Sequence, residues 1–249
     1  MNLGIIIQAR LGSSRLPNKI MLDFHDGRSV IDIIIEKIKS RFSEYPIILA
    51  TGEDPINSRL VEFSSKYDIN FFIGSEANVL SRFIEASELY NLTHVVRICS
   101  DNPFIDMDLL DDLMRIPDKF SYDYISFKND NGVPVIKSHL GLFAEIVSVS
   151  ALKKVMRSEG ENPHYQEHVT NYLYENPEGF NLKLVDLPKI ISGRDDIRLT
   201  LDTRQDFDIL SDLYGRIKNA DLNGIVGFLD ENQSRYIDEM LINIKNNSK

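Results

Sequence analysis

The chain has 249 residues, 43% of them hydrophobic and 27% charged, with a formal net charge of −10. That length suits one large α/β domain or two small ones and can bury a sizeable core. The acidic balance argues against a nucleic-acid binder, which needs a basic face, although it does not exclude a small anionic ligand at a locally basic site. No stretch approaches the ~18 apolar residues of a membrane span. The first residues lack the charged-then-apolar pattern of a signal peptide. One cysteine, Cys99, permits no internal disulfide and suits a reducing cytosol.

Residues 3–7 form a short apolar run, and 4–8 read as a first strand. It breaks into Gln8-Ala9-Arg10-Leu11-Gly12-Ser13-Ser14-Arg15-Leu16-Pro17-Asn18-Lys19. A strand that runs into glycine, serines and three cationic side chains is suited to phosphate. Gly12 lets the backbone bend toward an anion. The hydroxyls and free N–H groups donate, and Arg10, Arg15 and Lys19 supply charge. Neither G-x-x-x-x-G-K-[ST] nor G-x-G-x-x-G occurs, so neither Walker-type hydrolysis nor a dinucleotide fingerprint is indicated.

Helix periodicity follows over residues 29–40, then a strand at 46–50 and a helix from Asp54-Pro55 to Phe63, with proline at an early helical position. Residues 70–73 read as a strand, 78–90 as an amphipathic helix and 94–98 as a fourth strand. Cys99 closes that strand and reads as a buried small residue rather than a nucleophile. This alternation predicts a mainly parallel sheet between helices. A helix at 106–114 precedes an antiparallel excursion near residues 122–149, with strand-like pieces at 122–127 and 133–149 around the Asn129-Asp130-Asn131-Gly132 turn. Helical patterns resume at 151–158 and 163–175. Residues 180–187 and 197–203 alternate like strands, 206–217 reads as a helix, and the polar tail 245–249 as frayed. Without repeats or a low-complexity linker, residues 1–249 are taken as one domain.

Two aspartates stand at strand ends that precede helices. Asp101 follows the fourth strand, at the edge where parallel sheets bind ligands; Asp202 ends Ile197-Arg198-Leu199-Thr200-Leu201-Asp202. Alone, each reads better as a helix cap. Beside a basic phosphate loop, the pair suits a Mg²⁺ bound through one or two carboxylates and substrate phosphates.

Several motifs in order resemble one family. The segment from Ile6 to Lys19 is similar to the opening motif of cytidylyltransferases that activate acidic sugars, the acylneuraminate and 3-deoxy-manno-octulosonate enzymes, and most of all their SpsF-like branch. Ile73-Gly74-Ser75-Glu76-Ala77-Asn78-Val79-Leu80-Ser81-Arg82-Phe83 resembles G-S-E-x-D-V-L-x-R-[FY], with Asn78 in place of Asp. Val96-Arg97-Ile98-Cys99-Ser100-Asp101-Asn102-Pro103-Phe104-Ile105-Asp106 resembles R-I-T-x-D-x-P-x-I-D. Glu167-His168-Val169-Thr170 and Arg198-Leu199-Thr200-Leu201-Asp202-Thr203 resemble its late motifs.

The resemblance implies a nucleotide-diphospho-sugar transferase fold, Rossmann-like, and transfer of CMP from CTP to a small acidic acceptor with release of pyrophosphate. It implies nucleotide binding by Gln8, Ala9, Arg10, Leu11, Gly12, Ser13, Ser14, Arg15, Lys19, Arg82, Arg97 and Ser100, with Arg10, Arg15, Lys19 and Asp101 catalytic. Asp101 and Asp202 would hold Mg²⁺; Glu145, Glu167 and His168 would face the acceptor. A cytoplasmic homodimer is expected. One departure stands out: where relatives resemble D-G-x-D-x-E, this chain has Leu140-Gly141-Leu142-Phe143-Ala144-Glu145.

Competing readings keep the transfer but change the acceptor to another small acid or a phosphonate, or make the chain a glycosyltransferase or a nucleotide sensor. Asp106-Met107-Asp108 spells a glycosyltransferase Asp-x-Asp, but its position predicts a helix-capping cluster. His164 and His168, four apart, suit a shared metal, but no third ligand follows nearby. His168 also suits a polar contact to acceptor or phosphate, or a general base.

Overall fold

The computed structural model describes residues 1–217 and 220–247. In chain order it contains β1 (Leu3–Gln8), α1 (Val30–Phe42), β2 (Ile47–Gly52), α2 (Val61–Tyr67), β3 (Asn70–Gly74), α3 (Val79–Leu89), β4 (His94–Cys99) and α4 (Met107–Met114). Then follow β5 (Tyr124–Lys128), β6 (Glu145–Ser148), α5 (Val149–Glu159), α6 (Pro163–Glu167), α7 (Asn171–Glu175), β7 (Leu182–Asp186), α8 (Arg204–Ile217), α9 (Leu222–Glu231) and α10 (Gln233–Asn247). All seven strands join in one sheet, ordered β3-β2-β1-β4-β6-β5-β7. The first four pair in parallel. β6 runs antiparallel to both β4 and β5, and β5 is parallel to β7. The mixed, mainly parallel sheet and its antiparallel excursion are as the sequence predicts.

The central strands are apolar on both faces because each face carries a core. Ile5, Ile7, Val96 and Ile98 pack with α1, α4 and α8 to α10. Ile6, Val95, Tyr124 and Val147 pack with α3, α5 and α7. Helix starts follow their caps. Ser29 and Asp32 form a reciprocal capping box on α1, and the Asn78 side chain accepts from the Ser81 N–H on α3. Asp106 Oδ1 accepts from the Asp108 and Leu109 amides at 2.8 and 3.0 Å. Asp106-Met107-Asp108 is therefore a cap, as predicted.

Five local expectations need correction. Residues 54–63 divide into a 3-10 segment, Pro55–Leu60, and the start of α2. Residues 163–175 divide into α6 and α7, because Val169 and Thr170 turn into the core between them. Residues 133–149 hold one strand, β6. Before it comes a 3-10 turn, Val135–Lys137, and then an irregular stretch that passes so near Leu199 that a Cβ on Gly141 (φ +61°) would lie 2.7 Å from its carbonyl.

Residues 197–203 are not a strand. Their alternation is real, with Ile197, Leu199 and Leu201 buried. Yet their backbone makes isolated bonds to different segments, Leu199 N–H to His139 O and Leu201 N–H to Asp101 O, both 2.9 Å. The tail is ordered helix up to Asn247; the remainder of the segment expected to fray, Ser248 and Lys249, lies outside the described residues. α9 and α10 were not anticipated. No helix among the described residues is long and apolar enough to cross a membrane.

Candidate active site

Two cavities open at the carboxyl edge of the parallel strands. The smaller, about 290 Å³, is lined by Gln8, Arg10, Gly12, Ser13, Ser14, Arg15 and Lys19, with Ser100, Asp101 and Asp202 opposite. Most of the first loop therefore lines one anion-sized hollow. The N–H groups of Gly12, Ser14 and Arg15 have no acceptor among the described residues, so they can donate to a ligand. Gly12 does not adopt a left-handed φ, and a Cβ there would meet nothing within 4 Å. The backbone bend expected of Gly12 is thus not what requires glycine; the residue keeps the hollow open.

Two residues of the expected nucleotide set are turned away. Ala9 and Leu11 are 1% and 0% exposed, and their N–H groups go to Ala50 O and to Asn57 Oδ1. They are apolar pegs that tie the loop to the core. Arg82 is also corrected. It is 1% exposed, and its guanidinium donates to the carbonyls of Ser75 and Glu76. It lines neither cavity and instead braces the loop between β3 and α3.

The carboxylates converge on Lys19. Its ammonium lies 3.0 Å from Asp101 Oδ2, 3.2 Å from Asp202 Oδ1 and 2.6 Å from the Leu201 carbonyl. Arg15 reaches Asp202 Oδ1 at 2.8 Å, and Arg198 reaches Asp202 Oδ2 at 3.1 Å. Burial works against ionised Asp202, but Lys19, Arg15 and Arg198 more than offset it and hold its pKa below the ordinary value. Burial likewise opposes the Lys19 charge, which Asp101 and Asp202 outweigh, so its pKa is raised.

Two carboxylates meeting at one cationic point match the donors that Mg²⁺ takes from protein when phosphates complete its shell. No group of three or more His, Cys, Asp or Glu side chains among the described residues is arranged for a metal. The His164 and His168 rings do lie 5.1 Å apart. Without a third ligand they do not form the closed site that zinc takes.

The larger cavity, about 580 Å³, shares Arg15, Cys99, Asp101 and Asp202 with the smaller one. Its other walls include Arg97, Lys137, His139, His164, His168 and Asn171, with Phe143 and Tyr174 as apolar faces. His168 is among the residues that line this larger cavity. Arg97, expected beside the nucleotide, opens into this second cavity instead.

Glu145 does not face an acceptor. It is 0% exposed and accepts from Arg97 Nη1 at 2.6 Å, Tyr124 OH at 2.6 Å and Thr170 Oγ1 at 2.9 Å. The β4–β6 register, which sets Arg97 opposite Glu145, produces this burial. Glu167 lines neither cavity and meets Arg10 at 3.3 Å on the outer rim. Cys99 faces both cavities, but burial pushes its thiol up to about 11, which suits a neutral wall and not a nucleophile. Leu140 is buried in the core, and Phe143 packs on Phe127 at 5.3 Å between ring centres. The two departures from the D-G-x-D-x-E pattern therefore replace acids with apolar packing.

Sequence reasoning missed the support behind Asp202. Arg198, 1% exposed, donates Nε and Nη2 to the two oxygens of Asp206 at 2.7 and 3.0 Å and Nη1 to His139 Nδ1 at 2.7 Å. Asp206 also accepts from the Asp202 and Thr203 amides and from Asn243 on α10. Asp206, four residues after Asp202 at the head of α8, was a readable signal; Asn243 carried none.

A Rossmann-like sheet with a phosphate-suited loop, a carboxylate pair and an adjoining second cavity defines a nucleotidyltransferase. The chain belongs to the cytidylyltransferase family, which it matches over residues 4–239. It is 38% identical over 229 residues to an uncharacterised protein of Methanocaldococcus jannaschii, covering 91% of this chain and 90% of that one. It is 30% identical over 213 residues to the spore coat polysaccharide biosynthesis protein SpsF of Bacillus subtilis, covering 84% and 85%. The structure of a cytidylyltransferase from Leptospira borgpetersenii superposes with a TM-score of 0.83 at 27% identity, covering 96% and 98%.

Proposed function

We propose that this cytidylyltransferase moves CMP from CTP to a hydroxyl of a small acidic sugar, of the nonulosonate or ulosonate type, and releases pyrophosphate. The observation that carries this reading is the meeting of the two cavities at Asp101 and Asp202. A triphosphate in the smaller hollow and a sugar in the larger would place the α-phosphate beside an acceptor oxygen, as in-line displacement requires.

The new bond joins the acceptor oxygen to the α-phosphorus, and the bond to the β-phosphate oxygen breaks. The hydroxyl proton passes to His168 or to solvent water as the oxygen attacks, and pyrophosphate carries away the bridging oxygen. Arg10, Ser13, Ser14 and Arg15 grip the phosphates, and Lys19 stabilises charge on the departing pyrophosphate. Mg²⁺ held by Asp101 and Asp202 would supply the positive charge that lets two carboxylates sit beside a triphosphate. Arg15 and Lys19, which neutralise Asp202 in the free protein, would then turn to phosphate oxygens. His168 lies on the acceptor wall, where it can orient a hydroxyl. The family resemblance supports a homodimer, which light scattering of the purified chain tests, and a cytoplasmic location, which cell fractionation tests.

Pyrophosphate release tests the reaction itself. CTP, UTP, ATP and GTP are offered with acidic and neutral sugars, with and without Mg²⁺. CTP with an acidic sugar and Mg²⁺ is expected to be fastest. A clear preference for another nucleotide, or for a neutral sugar, refutes the reading.

A further inference from the structure

We propose that Arg97 is the anchor for the acceptor's carboxylate, and that the buried Glu145 holds it in that posture. The inference rests on the acidic-acceptor reading above and names the group that recognises the acid.

Arg97 stands on β4 with its side chain 9% exposed, and what remains exposed opens into the larger cavity. Among the described residues, two of its N–H bonds are taken up by the protein. Nε donates to Gln8 Oε1 at 3.3 Å and Nη1 to Glu145 Oε1 at 2.6 Å. Among the described residues, no acceptor takes the Nη2 hydrogens. A nearly buried guanidinium with uncommitted donors on a cavity wall calls for an anionic oxygen pair.

The other cations of that wall are already engaged. Arg15 is paired with Asp202, and Lys137 with Glu175 at 3.1 Å. Glu145, the anion beside Arg97, does not line the cavity, and its side chain is 1% exposed. Tyr124 and Thr170 occupy its oxygens along with Arg97. Burial, with Glu145 nearby, keeps Tyr124 a neutral phenol that can only donate to the carboxylate. Glu145 thus cannot reach a ligand, and it cannot swing away from Arg97.

Chemistry favours a carboxylate over a phosphate here. Arg97 does not line the phosphate hollow. Its planar fork matches a carboxylate in two parallel bonds, and the apolar faces of Phe143 and Tyr174 nearby suit the carbon skeleton of a sugar acid.

The test is calorimetric titration of the full chain, saturated with a non-hydrolysable CTP analogue. The probes are N-acetylneuraminate and 3-deoxy-manno-octulosonate, each as free acid and as methyl ester. Wild type should bind at least one acid about ten- to a hundredfold more tightly than its ester, the loss expected for charged hydrogen bonds. Arg97→Lys keeps the buried charge beside Glu145 but lacks the fork, and should remove that acid-over-ester preference while affinity for the CTP analogue changes far less. Glu145→Gln should also reduce the preference, which a purely structural role would not.

Should the single variants fold poorly, Arg97→Gln combined with Glu145→Gln removes both buried charges together and carries the same expectation. Equal affinity for acid and ester in wild type, no binding of either acid, or a preference that survives in Arg97→Lys overturns the inference. Turnover separates this from the broader reading. If acidic sugars release pyrophosphate while the preference survives in Arg97→Lys, only the Arg97 assignment falls. If only neutral sugars turn over, the acidic-acceptor reading falls as well.

Discussion

Replacing Arg198 with methionine should destabilise the protein by about 3 kcal/mol, because it strands a buried carboxylate. Asp206 is 3% exposed, and both of its oxygens accept from Arg198. Removing one partner of a buried ion pair costs about 3–5 kcal/mol. The lower end applies here, since the Asp202 and Thr203 amides and Asn243 still donate to Asp206 at 2.8–2.9 Å. For a chain of this size, about 3 kcal/mol lowers Tm by roughly 6–12 °C. Scanning calorimetry and urea titration measure the loss. The companion variant joins Arg198→Met to Asp206→Asn, which removes the stranded charge and should recover at least about half of the loss. A loss below about 1 kcal/mol, the scale of an ordinary neutral hydrogen bond, or a double variant no better than the single one, refutes the argument that charge burial sets the cost.

Arg15→Ala should weaken CTP use about ten- to a hundredfold, the loss of a charged hydrogen bond to phosphate. Arg28→Ala, whose side chain pairs with Glu36 at 3.3 Å and lines neither cavity, should leave CTP use unchanged; equal effects in steady-state kinetics would mean that the first loop is a basic surface turn. Asp101→Asn and Asp202→Asn should each cut kcat at least about a hundredfold, and near-normal turnover of either variant removes that residue from the site. Gly12→Ala should keep wild-type Tm, since a Cβ meets nothing within 4 Å, yet raise KM for CTP because ligand phosphate needs that space; an unchanged KM refutes close approach at Gly12.

Stability should also follow pH on both sides. The pKa values of Asp202 and Asp206 are lowered by folding, so their contribution is complete above the unfolded value near 3.8 and is lost as pH falls through the folded values. Lys19 is raised, so its contribution is complete below 10.5 and is lost as pH rises through its folded value. Urea midpoints across pH measure both limbs, and an acid limb unchanged in Asp206→Asn would show that this carboxylate does not contribute.

The local pattern of the chain determined the parallel half of the sheet, because buried strands and one-sided helices must alternate for a doubly covered sheet to form. It also marked most of the first loop and both carboxylates that line the smaller cavity. These residues follow directly on a strand end or lie in a quoted motif, so their chemistry is expressed within a few positions. Tertiary structure alone decided which members of those segments face the cavity. Ala9 and Leu11 turn into the core although Arg10 and Gly12 beside them line the hollow, and Arg82 spends its donors on its own loop.

Pairings distant in sequence were equally invisible to local pattern. Arg97 meets Glu145 only because β6 enters antiparallel beside β4, and Asn243 reaches Asp206 only because α10 packs on α8. The alternation at 197–203 was read as a strand because burial on one side gives the same two-residue period, whether the backbone pairs along a sheet or bridges two separate segments. A one-dimensional pattern records which side chains are buried. Which backbone, charge or cavity lies opposite them is set by long-range packing.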